Sequence, residues 1–319
     1  MIVGIDVAKS SFDAVLLVSD QRFHQVFANN AKGFTNLTSW LRQKGLEPVH
    51  ACLEATGVYG EDLAEYLYAQ GHTVSVVNPS RIKAYGLSRL SRNKTDKSDA
   101  ALIALFCARE QPAPWSPAPP ESKALQALVR RVEAVEMMRQ QERNRLEVEK
   151  EPEVRTLIKA HVAYLDEQVE ALEQRITTAI NDSELLTTQV RLLTSIPGIA
   201  ERTARKILAE VRMDLFEDAP SLAAYVGVTP KQHVSGSSVR KRPRMSKMGH
   251  AGLRKALYFP ALRAMRCNPL IQQSCLRLQG KPKMVIVGAA MRKLVHLAYG
   301  VLKTGKPFDP NYLAHPQAA

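Results

Sequence analysis

The opening residues constrain the fold most, because they predict a buried strand that carries a charge. The run from Ile2 to Val7 is apolar except for one carboxylate, Asp6, and a second apolar run follows from Ala14 to Val18. Short apolar runs bounded by turn residues are typical of buried strands. An unpaired buried carboxylate is costly, so Asp6 is either a solvated residue at a strand end or lies against a cation.

The first 110 residues alternate strand and helix signals. After the opening hairpin, the pattern predicts strands at 24–28, 48–54 and 72–77, and helices at 33–44, 60–70 and 95–110. This order of three strands, then helix, strand, helix and strand, predicts an α/β domain in which helices cover a mixed sheet.

A proline-rich segment marks the end of this domain. Residues 111–120 contain five prolines, which favours an extended linker. The predicted organisation is an α/β domain at 1–110, the linker at 111–120, all-α arms with coiled-coil spacing at 121–185, and a basic, mainly α-helical domain at 186–319 with loops at 229–247 and 279–283. Pro152 interrupts the arms, which either fold back on each other or pair between subunits.

Charge is distributed unevenly along the chain. From Lys231 onward there are 17 Lys and Arg residues and a single acid, Asp309, whereas the whole chain carries a net charge of +13. This one-sided excess favours a polyanionic partner, because each neutralised phosphate releases counterions. The apolar runs are shorter than the roughly 20 residues that span a bilayer, so we expect a cytoplasmic protein with no membrane contact. Its four cysteines lack zinc spacing and are expected to be buried free thiols in a reducing compartment.

Four carboxylates form the first candidate site. Asp6 lies in the first strand, Glu54 ends the fourth, and Asp96 and Asp99 share one face at the start of a helix. Taken singly, the helix pair is explained by capping of the first turn, and Glu54 by solvation of a strand end. Together the four supply the oxygen ligands that Mg²⁺ or Mn²⁺ prefers, and such ions assist phosphodiester cleavage.

The second candidate site is a serine-rich turn followed by cations. Ser-Gly-Ser-Ser at 235–238 precedes Arg240, Lys241, Arg242, Arg244 and Lys247. Serine needs a base or electrostatic help to attack phosphorus, so the turn is either nucleophilic or a flexible loop whose hydroxyls only grip phosphate. The residues alone favour the gripping loop.

A third motif is Ile-Pro-Gly-Ile at 196–199, between two helical stretches. It looks like a helix-hairpin-helix element, whose turn presents backbone N–H groups to a phosphate without reading bases. The alternative is an ordinary turn in the helical core. We predict that this element originated as a DNA contact. Its present role is either that contact or packing.

In this order, the motifs resemble one family: transposases of bacterial insertion sequences that combine an N-terminal DEDD domain with a C-terminal serine domain. These are the bridge-RNA-guided recombinases, related to the pilin-gene invertases. Their first domain is similar to the ribonuclease-H-like fold of the Holliday-junction resolvases. The opening hairpin also resembles the phosphate-binding fold of actin and the sugar kinases, but their glycine-rich nucleotide loops are missing. One departure is His250, where the family pattern has Asn after Lys-x-Gly.

The resemblance implies roles for individual residues. Asp6, Glu54, Asp96 and Asp99 match the tetrad that binds Mg²⁺ or Mn²⁺. Ser235 matches the nucleophile that forms a covalent phosphoserine link to DNA, and Ser237 is the second candidate. The expected nucleic-acid contacts are Arg240, Lys241, Arg242, Arg244, Lys247, Arg254 and Lys255. The implied partners are donor and target DNA, a structured noncoding bridge RNA, and further subunits in a dimer or tetramer, acting at the nucleoid.

Three interpretations fit these motifs. The first is a transposase or site-specific DNA recombinase with a serine nucleophile and a metal-bound tetrad. The second is a metal-dependent Holliday-junction-type endonuclease, in which water attacks and Ser235 only grips phosphate. The third is a noncatalytic nucleic-acid-binding protein on a retained nuclease fold, which the intact tetrad disfavours. We predict the first.

Overall fold

In the computed structural model the chain divides into two units, Met1–Pro117 and Ala118–Ala319, and the division falls inside the predicted linker. The structure describes residues 1–18, 21–45, 47–55, 58–88, 96–235 and 239–311. Of residues 58, 96, 232–235 and 239–243 it describes the backbone alone. Each unit has its own hydrophobic core.

The first unit is a mixed sheet with helices. Its elements are β1 (Ile2–Val7), β2 (Ser11–Val18), β3 (Gln21–Ala28), α1 (Ala31–Gln43), β4 (His50–Glu54), a 3-10 turn (Val58–Gly60), α2 (Glu61–Ala69), β5 (Thr73–Val77), α3 (Pro79–Ser88) and α4 (Asp96–Glu110). The strand order is β3-β2-β1-β4-β5; β2 is antiparallel to both β1 and β3, and β4 and β5 are parallel to β1. The mixed sheet and the predicted strands and helices are confirmed in their order, and α3 is a further helix that was not predicted.

Alternation along the strands gives the sheet two different faces. One face carries Val3, Ile5 and Phe12, which pack into a core with side chains of α1 and α2. The other face carries Cys52, which packs with Ile103 and its neighbours on α4. Both faces are covered, so α4 is the element that meets β1 and β4 from the second side.

The proline-rich segment is joined to the first unit along part of its length. The Trp115 N–H donates to the Val74 carbonyl at 2.6 Å, and the Ser75 hydroxyl donates to the Pro112 carbonyl at 3.0 Å. The Trp115 ring also meets Tyr68 edge-on, with centroids 6.3 Å apart. The predicted linker is thus an extended segment bonded to β5 as far as Trp115.

The second unit is mainly helical. Its elements are α5 (Pro120–Val148), α6 (Pro152–Asn181), α7 (Glu184–Thr194), α8 (Glu201–Glu210), a 3-10 turn (Met213–Leu215), α9 (Ala219–Val226), β6 (Pro230–Ser235), β7 (Val239–Met245), α10 (Ala251–Ala256), α11 (Tyr258–Cys267), α12 (Pro269–Leu276) and α13 (Lys283–Thr304). One core joins residues of the predicted arms to residues of the predicted basic domain. The two regions therefore fold as one unit.

The helical arms fold back on each other at Pro152. Proline is accepted in the first turn of a helix because its missing N–H has no partner to lose there. The Arg155 guanidinium donates to the Leu146 carbonyl at 2.7 Å, and Arg139 pairs with Asp166 at 2.8 Å, so α5 and α6 run antiparallel. Of the two predicted alternatives, the structure has pairing within one chain.

Helix α13 has the length and apolar composition that could cross a membrane, although no such run was expected from the sequence. Half of that stretch is buried in the second unit, and Leu294 is fully buried. Among the described residues it is the one helix with this property, and its burial indicates a core helix. All four cysteines are free thiols, as predicted; Cys52 and Cys107 are buried, but the prediction of burial is wrong for Cys267 and Cys275, which are half-buried.

Candidate active site

Strand register places two of the predicted carboxylates side by side. In the parallel pair of β1 and β4, Ile5 lies opposite Leu53, so the following residues, Asp6 and Glu54, are level at the carboxyl ends of their strands. Ile5 and Leu53 are buried in the core beneath the sheet, and alternation turns Asp6 and Glu54 to the other face. Both carboxylates are half-buried there.

Helix α4 crosses the same face. Gly4 makes this possible, since a Cβ at that position would lie 2.2 Å from the Ala104 nitrogen and 2.4 Å from the Ala100 oxygen. Ile2, at the start of β1, packs instead near Ile103 and the later turns of the helix. The helix therefore runs antiparallel to β1, and its first turn lies toward Asp6.

That first turn carries the other two predicted carboxylates. Asp99 is half-buried and lies on α4, and Asp96 begins the helix, although its side chain lies outside the described residues. The strand register and the course of α4 therefore bring the ends of β1 and β4 and the first turn of α4 to the same side of the sheet. Carboxylate oxygens are the ligands that hard divalent cations prefer, so the donor set fits Mg²⁺ or Mn²⁺. Among the described side chains, no group of three His, Cys, Asp or Glu is already arranged to hold an ion.

A further acid–histidine pair beside this edge was missed by the sequence reasoning. Asp13 lies directly opposite Asp6 in the antiparallel pair of β1 and β2, so the two side chains share a face. The Asp13 carboxylate lies 2.6 Å from His24 Nε2 on β3. The signal was available in the hairpin, because strands joined by a short turn place facing residues at equal distances from it.

The predicted loop at 229–247 is wrong, because most of it forms a two-stranded hairpin. β6 and β7 pair antiparallel, with Ser235 opposite Val239 and Pro230 opposite Met245. Ser235 is the last residue of β6, and Ser237 lies in the connecting residues outside the described part of the chain. Backbone pairing replaces a free loop because strand hydrogen bonds satisfy the N–H and C=O groups of both segments.

Of the predicted nucleic-acid contacts, some side chains lie outside the described residues: those of Arg240, Lys241 and Arg242. Arg244 and Lys247 are exposed at the base of the hairpin, and Lys255 is exposed on α10. Arg254 differs, because it is half-buried and donates to the Val226 carbonyl at 3.2 Å. It ties α10 to the end of α9.

His250 fixes the chain where the hairpin returns to the helices. Its backbone N–H donates to the Tyr225 carbonyl at 2.8 Å, and its Nδ1 accepts from the Leu253 N–H at 3.0 Å, which caps α10. Because Nδ1 accepts, Nε2 carries the proton and donates to Glu210 at 3.3 Å. His250 is therefore the N-cap of α10.

Glu210 is the centre of a charge network in the core of the second unit. Its side chain is 4 % exposed and pairs with Arg130 at 2.8 Å and Lys206 at 3.0 Å, and Lys206 also pairs with Glu133 at 2.7 Å. Burial alone would raise the pKa of Glu210, but hydrogen bonds from His250, Arg130 and Lys206 outweigh it and hold the pKa well below the usual range. These charges join α5, α8 and α10.

The Ile-Pro-Gly-Ile turn packs against α11. Gly198 has a φ of 107°, and a Cβ there would lie 2.6 Å from the Ala264 Cβ. The Asn268 side chain donates to the Pro197 carbonyl at 3.3 Å, and Ile196 is fully buried. These contacts favour packing over phosphate contact for this turn.

The two candidate sites belong to different units, the carboxylates to the first and the serine hairpin to the second. Comparison with known proteins covers both. Residues 3–148 match a protein family described as transposase (DEDD_Tnp_IS110), and residues 190–275 match one described as transposase of the IS116/IS110/IS902 family. The pilin gene-inverting proteins of Moraxella bovis and Moraxella lacunata are each 34 % identical to this chain over 313 residues, which is 96 % of the chain and 97 % of either relative.

Proposed function

The chain belongs to the IS116/IS110/IS902 family of transposases, and we propose that it cuts and rejoins DNA through a covalent phosphoserine intermediate. Family membership makes it a DNA transposase or recombinase, an enzyme of strand cleavage and rejoining.

The observation that carries the proposal is the position of Ser235 at the end of β6, next to a strand rich in Lys and Arg. In the proposed step the Ser235 oxygen forms a bond to phosphorus while the bond from phosphorus to the 3′ oxygen breaks. The hydroxyl proton passes through solvent to the leaving oxygen, which is released as a 3′-OH. Positive groups on β7 stabilise the charge that develops on the phosphoryl oxygens. The phosphoserine conserves the energy of the bond, so attack by a 3′-OH of the partner strand rejoins DNA without ATP.

The first unit supports a metal-dependent partner site. Its strand order, with an antiparallel hairpin followed by two parallel strands, is consistent with a ribonuclease-H-like fold. Asp6, Glu54, Asp96 and Asp99 would hold Mg²⁺ or Mn²⁺, which when bound polarises the scissile phosphate and stabilises the leaving oxygen. The strand ends and α4 serve to hold these carboxylates in register with one another.

Two kinds of partner complete the proposal. A structured bridge RNA from the same element would pair with donor and target DNA, and the excess of cations after Lys231 gives the protein a surface for RNA phosphates. Subunits would assemble as dimers or tetramers, with the carboxylates of one subunit serving the serine of another. RNA that copurifies with the protein supports the first point, and recombination that persists after RNase treatment contradicts it. Light scattering of the purified complex tests the second.

The nucleophile is tested by trapping it. Protein, RNA and labelled DNA are incubated with Mg²⁺ and denatured in SDS, and a protein–DNA adduct is expected. Ser235→Ala should abolish the adduct, and Ser237→Ala should retain it. Loss of the adduct in Ser237→Ala alone would move the nucleophile to that residue. Cleaved ends without any adduct would favour the alternative, an endonuclease that uses water.

The metal site is tested separately. Asp6→Asn should abolish Mg²⁺-dependent cleavage, whereas Asp62→Asn, an exposed acid in the first turn of α2, should leave it unchanged. Calorimetric titration with Mn²⁺ should show loss of binding in Asp6→Asn. Cleavage by Asp6→Asn at the parent rate would contradict the metal proposal without affecting the serine proposal.

A further inference from the structure

Helices α10 and α11 expose an aromatic ring between positive side chains. Phe259 is 75 % exposed, and Lys255, Arg263 and Arg266 are also exposed. We call these four residues the basic–aromatic stripe. The exposed ring of Phe259 contributes little to the stability of the core. An exposed apolar group bordered by charged residues is typical of a binding surface.

Helical spacing puts the four side chains on one surface. Backbone bonds from Leu257 to Leu253 and from Ala261 to Leu257, each 3.0 Å, carry the helical hydrogen-bond pattern across the junction of α10 and α11. Residues three and four apart along such a backbone are surface neighbours. The opposite side holds Leu257, Ala261 and Ala264, all fully or almost fully buried in the core. The stripe therefore cannot turn inward without unpacking the second unit.

The ring of Phe259 is supported from one side. Tyr258 meets it edge-on, with centroids 5.3 Å apart and the ring planes 79° apart. Tyr258 itself packs against the core of the unit. Phe259 is thus held by a neighbour that is anchored, while most of its surface faces solvent. A flat partner could stack on it at little cost in side-chain entropy.

The positive charge of the basic–aromatic stripe indicates what kind of partner it binds. Among the described residues no carboxylate forms an ion pair with Lys255, Arg263 or Arg266. From Lys231 to the end of the sequence there is a single acid, Asp309. The complementary partner is therefore anionic and also has an apolar face, which describes a nucleotide with its flanking phosphates.

We propose that the basic–aromatic stripe binds an unpaired segment of a DNA strand, with one base stacked on Phe259 and the neighbouring phosphates on Lys255, Arg263 and Arg266. Duplex DNA does not fit this description, because its bases are already stacked on one another and expose only their edges. Strand exchange by a DNA recombinase leaves segments unpaired, which supplies the ligand. The inference goes beyond the serine and metal proposals and does not depend on them.

Binding is measured without chemistry, in EDTA, by fluorescence anisotropy of labelled oligo-dT and of a duplex of equal length. Phe259→Ala should weaken binding of oligo-dT by roughly 5- to 150-fold, since stacking contributes about 1–3 kcal/mol per base. Duplex binding should change less than about twofold. Leu276→Ala removes an equally exposed apolar side chain from the same unit, 63 % exposed, and should change neither.

Two further variants separate stacking from other apolar contact. Phe259→Trp should keep tight binding, and its indole emission should be quenched by oligo-dT, which reports stacking directly. Phe259→Leu is apolar but not planar, so it should bind as weakly as Phe259→Ala. If Phe259→Leu binds like the parent protein, or the new indole is not quenched, the base-stacking proposal is overturned. Circular dichroism of each variant checks that the helices are intact.

The phosphate contacts and the identity of the strand have their own tests. Arg263→Ala should reduce the slope of log affinity against log salt by about 0.7, whereas Arg175→Ala, an exposed cation on α6, should leave it unchanged. Equal losses on oligo-dT and duplex would overturn the choice of an unpaired strand. If Phe259→Ala weakens binding of oligo-rU but not of oligo-dT, the partner is RNA and the DNA assignment is wrong.

Discussion

In the first unit, hydrogen bonds of the sheet set the positions of Asp6 and Glu54, whereas in the second unit the segment that follows the serine hairpin is also tied by a side chain, His250, to a buried charge network. Asp6 and Glu54 are level because Ile5 pairs with Leu53. The return of the hairpin is held by the backbone bond from His250 to Tyr225 and by the bond from the His250 side chain to the buried Glu210.

Because of this difference, the loss of a carboxylate should affect mainly function in the first unit and mainly stability in the second. A backbone register survives the loss of a side chain, so a carboxylate at the sheet edge can be removed with little effect on the fold. A buried ion network does not survive such a loss, because the remaining partners keep their desolvation cost. The same substitution type should therefore act on chemistry in one unit and on folding in the other.

The strongest test removes the centre of the network. Glu210→Ala leaves Lys206, whose side chain is 7 % exposed, without its buried partner, and should lower the free energy of unfolding by about 3–5 kcal/mol. Urea denaturation followed by far-UV circular dichroism reports the helices of this unit. Both tryptophans, Trp40 and Trp115, lie in the first unit, so their fluorescence should change little.

The control is Glu201→Ala on the same helix, α8. Glu201 is 54 % exposed and lies 3.7 Å from Arg205, so its loss should cost less than about 1 kcal/mol. Equal losses in the two variants would contradict the distinction between the buried network and the surface pairs.

The corresponding test of the first unit moves the helix rather than a carboxylate. Gly4→Ala places a Cβ against backbone atoms of α4 at 2.2 and 2.4 Å, so the helix must shift and carry Asp99 with it. We expect DNA cleavage to fall about 100-fold and stability by about 1–3 kcal/mol. Cleavage of labelled DNA and tryptophan fluorescence measure the two effects.

Gly60→Ala is the matched control, because the nearest atom to its added Cβ is 3.9 Å away on Val7. It should retain both cleavage and stability. If Gly4→Ala cleaves DNA as well as Gly60→Ala does, close approach of α4 to β1 is not needed at this site.

Acid should weaken the second unit through Glu210. The folded-state pKa is lowered, so the unfolded chain takes up this proton at a higher pH than the folded chain does. The stabilisation is fully present above the unfolded value of about 4.3 and is lost as the pH falls toward the folded value. Stability of the parent protein should drop more steeply between pH 5 and pH 2, roughly the range of that titration, than stability of Glu210→Gln. Parallel pH profiles would show that Glu210 does not titrate in this way.

The smallest effect concerns the helix cap. His250→Ala removes the acceptor for the Leu253 N–H and the donor to Glu210, and should lower the free energy of unfolding by about 1 kcal/mol. His250→Asn restores the cap but not the contact with Glu210, so it should recover part of that loss in thermal unfolding. An Asn variant no more stable than the Ala variant would mean that capping contributes nothing here.

Much of the first unit was predictable from the sequence because its signals are local. Apolar runs predicted the positions of the strands, and Glu54 was predicted to lie at the end of one of them. Such runs are recognisable in the sequence because they depend only on neighbouring residues. Helical spacing likewise placed Asp96 and Asp99 on one face of one helix. The chain's charge bias after Lys231 required no structure at all.

Other features depended on contacts between distant segments, which one sequence does not display. The sequence predicted a loop where β6 and β7 pair, because residues 230–245 are mostly polar and show no alternation of apolar and polar side chains. The pairing of Ser235 with Val239 is visible only in the structure. In the sequence, Glu210 is an ordinary acid at the end of a helix. Its burial and its bonds to Arg130 and His250 follow from the packing of α5 and α10 against α8.

The sequence by itself determined the order of elements in the first unit, its carboxylates and the one-sided charge, because periodicity and composition are properties of neighbouring residues. Tertiary structure alone decided that His24 bonds to Asp13, that the arms fold back within one chain, and that Phe259 remains outside the core. Burial and pairing are settled only when the whole chain competes for the same apolar interior, and no local pattern records the outcome of that competition.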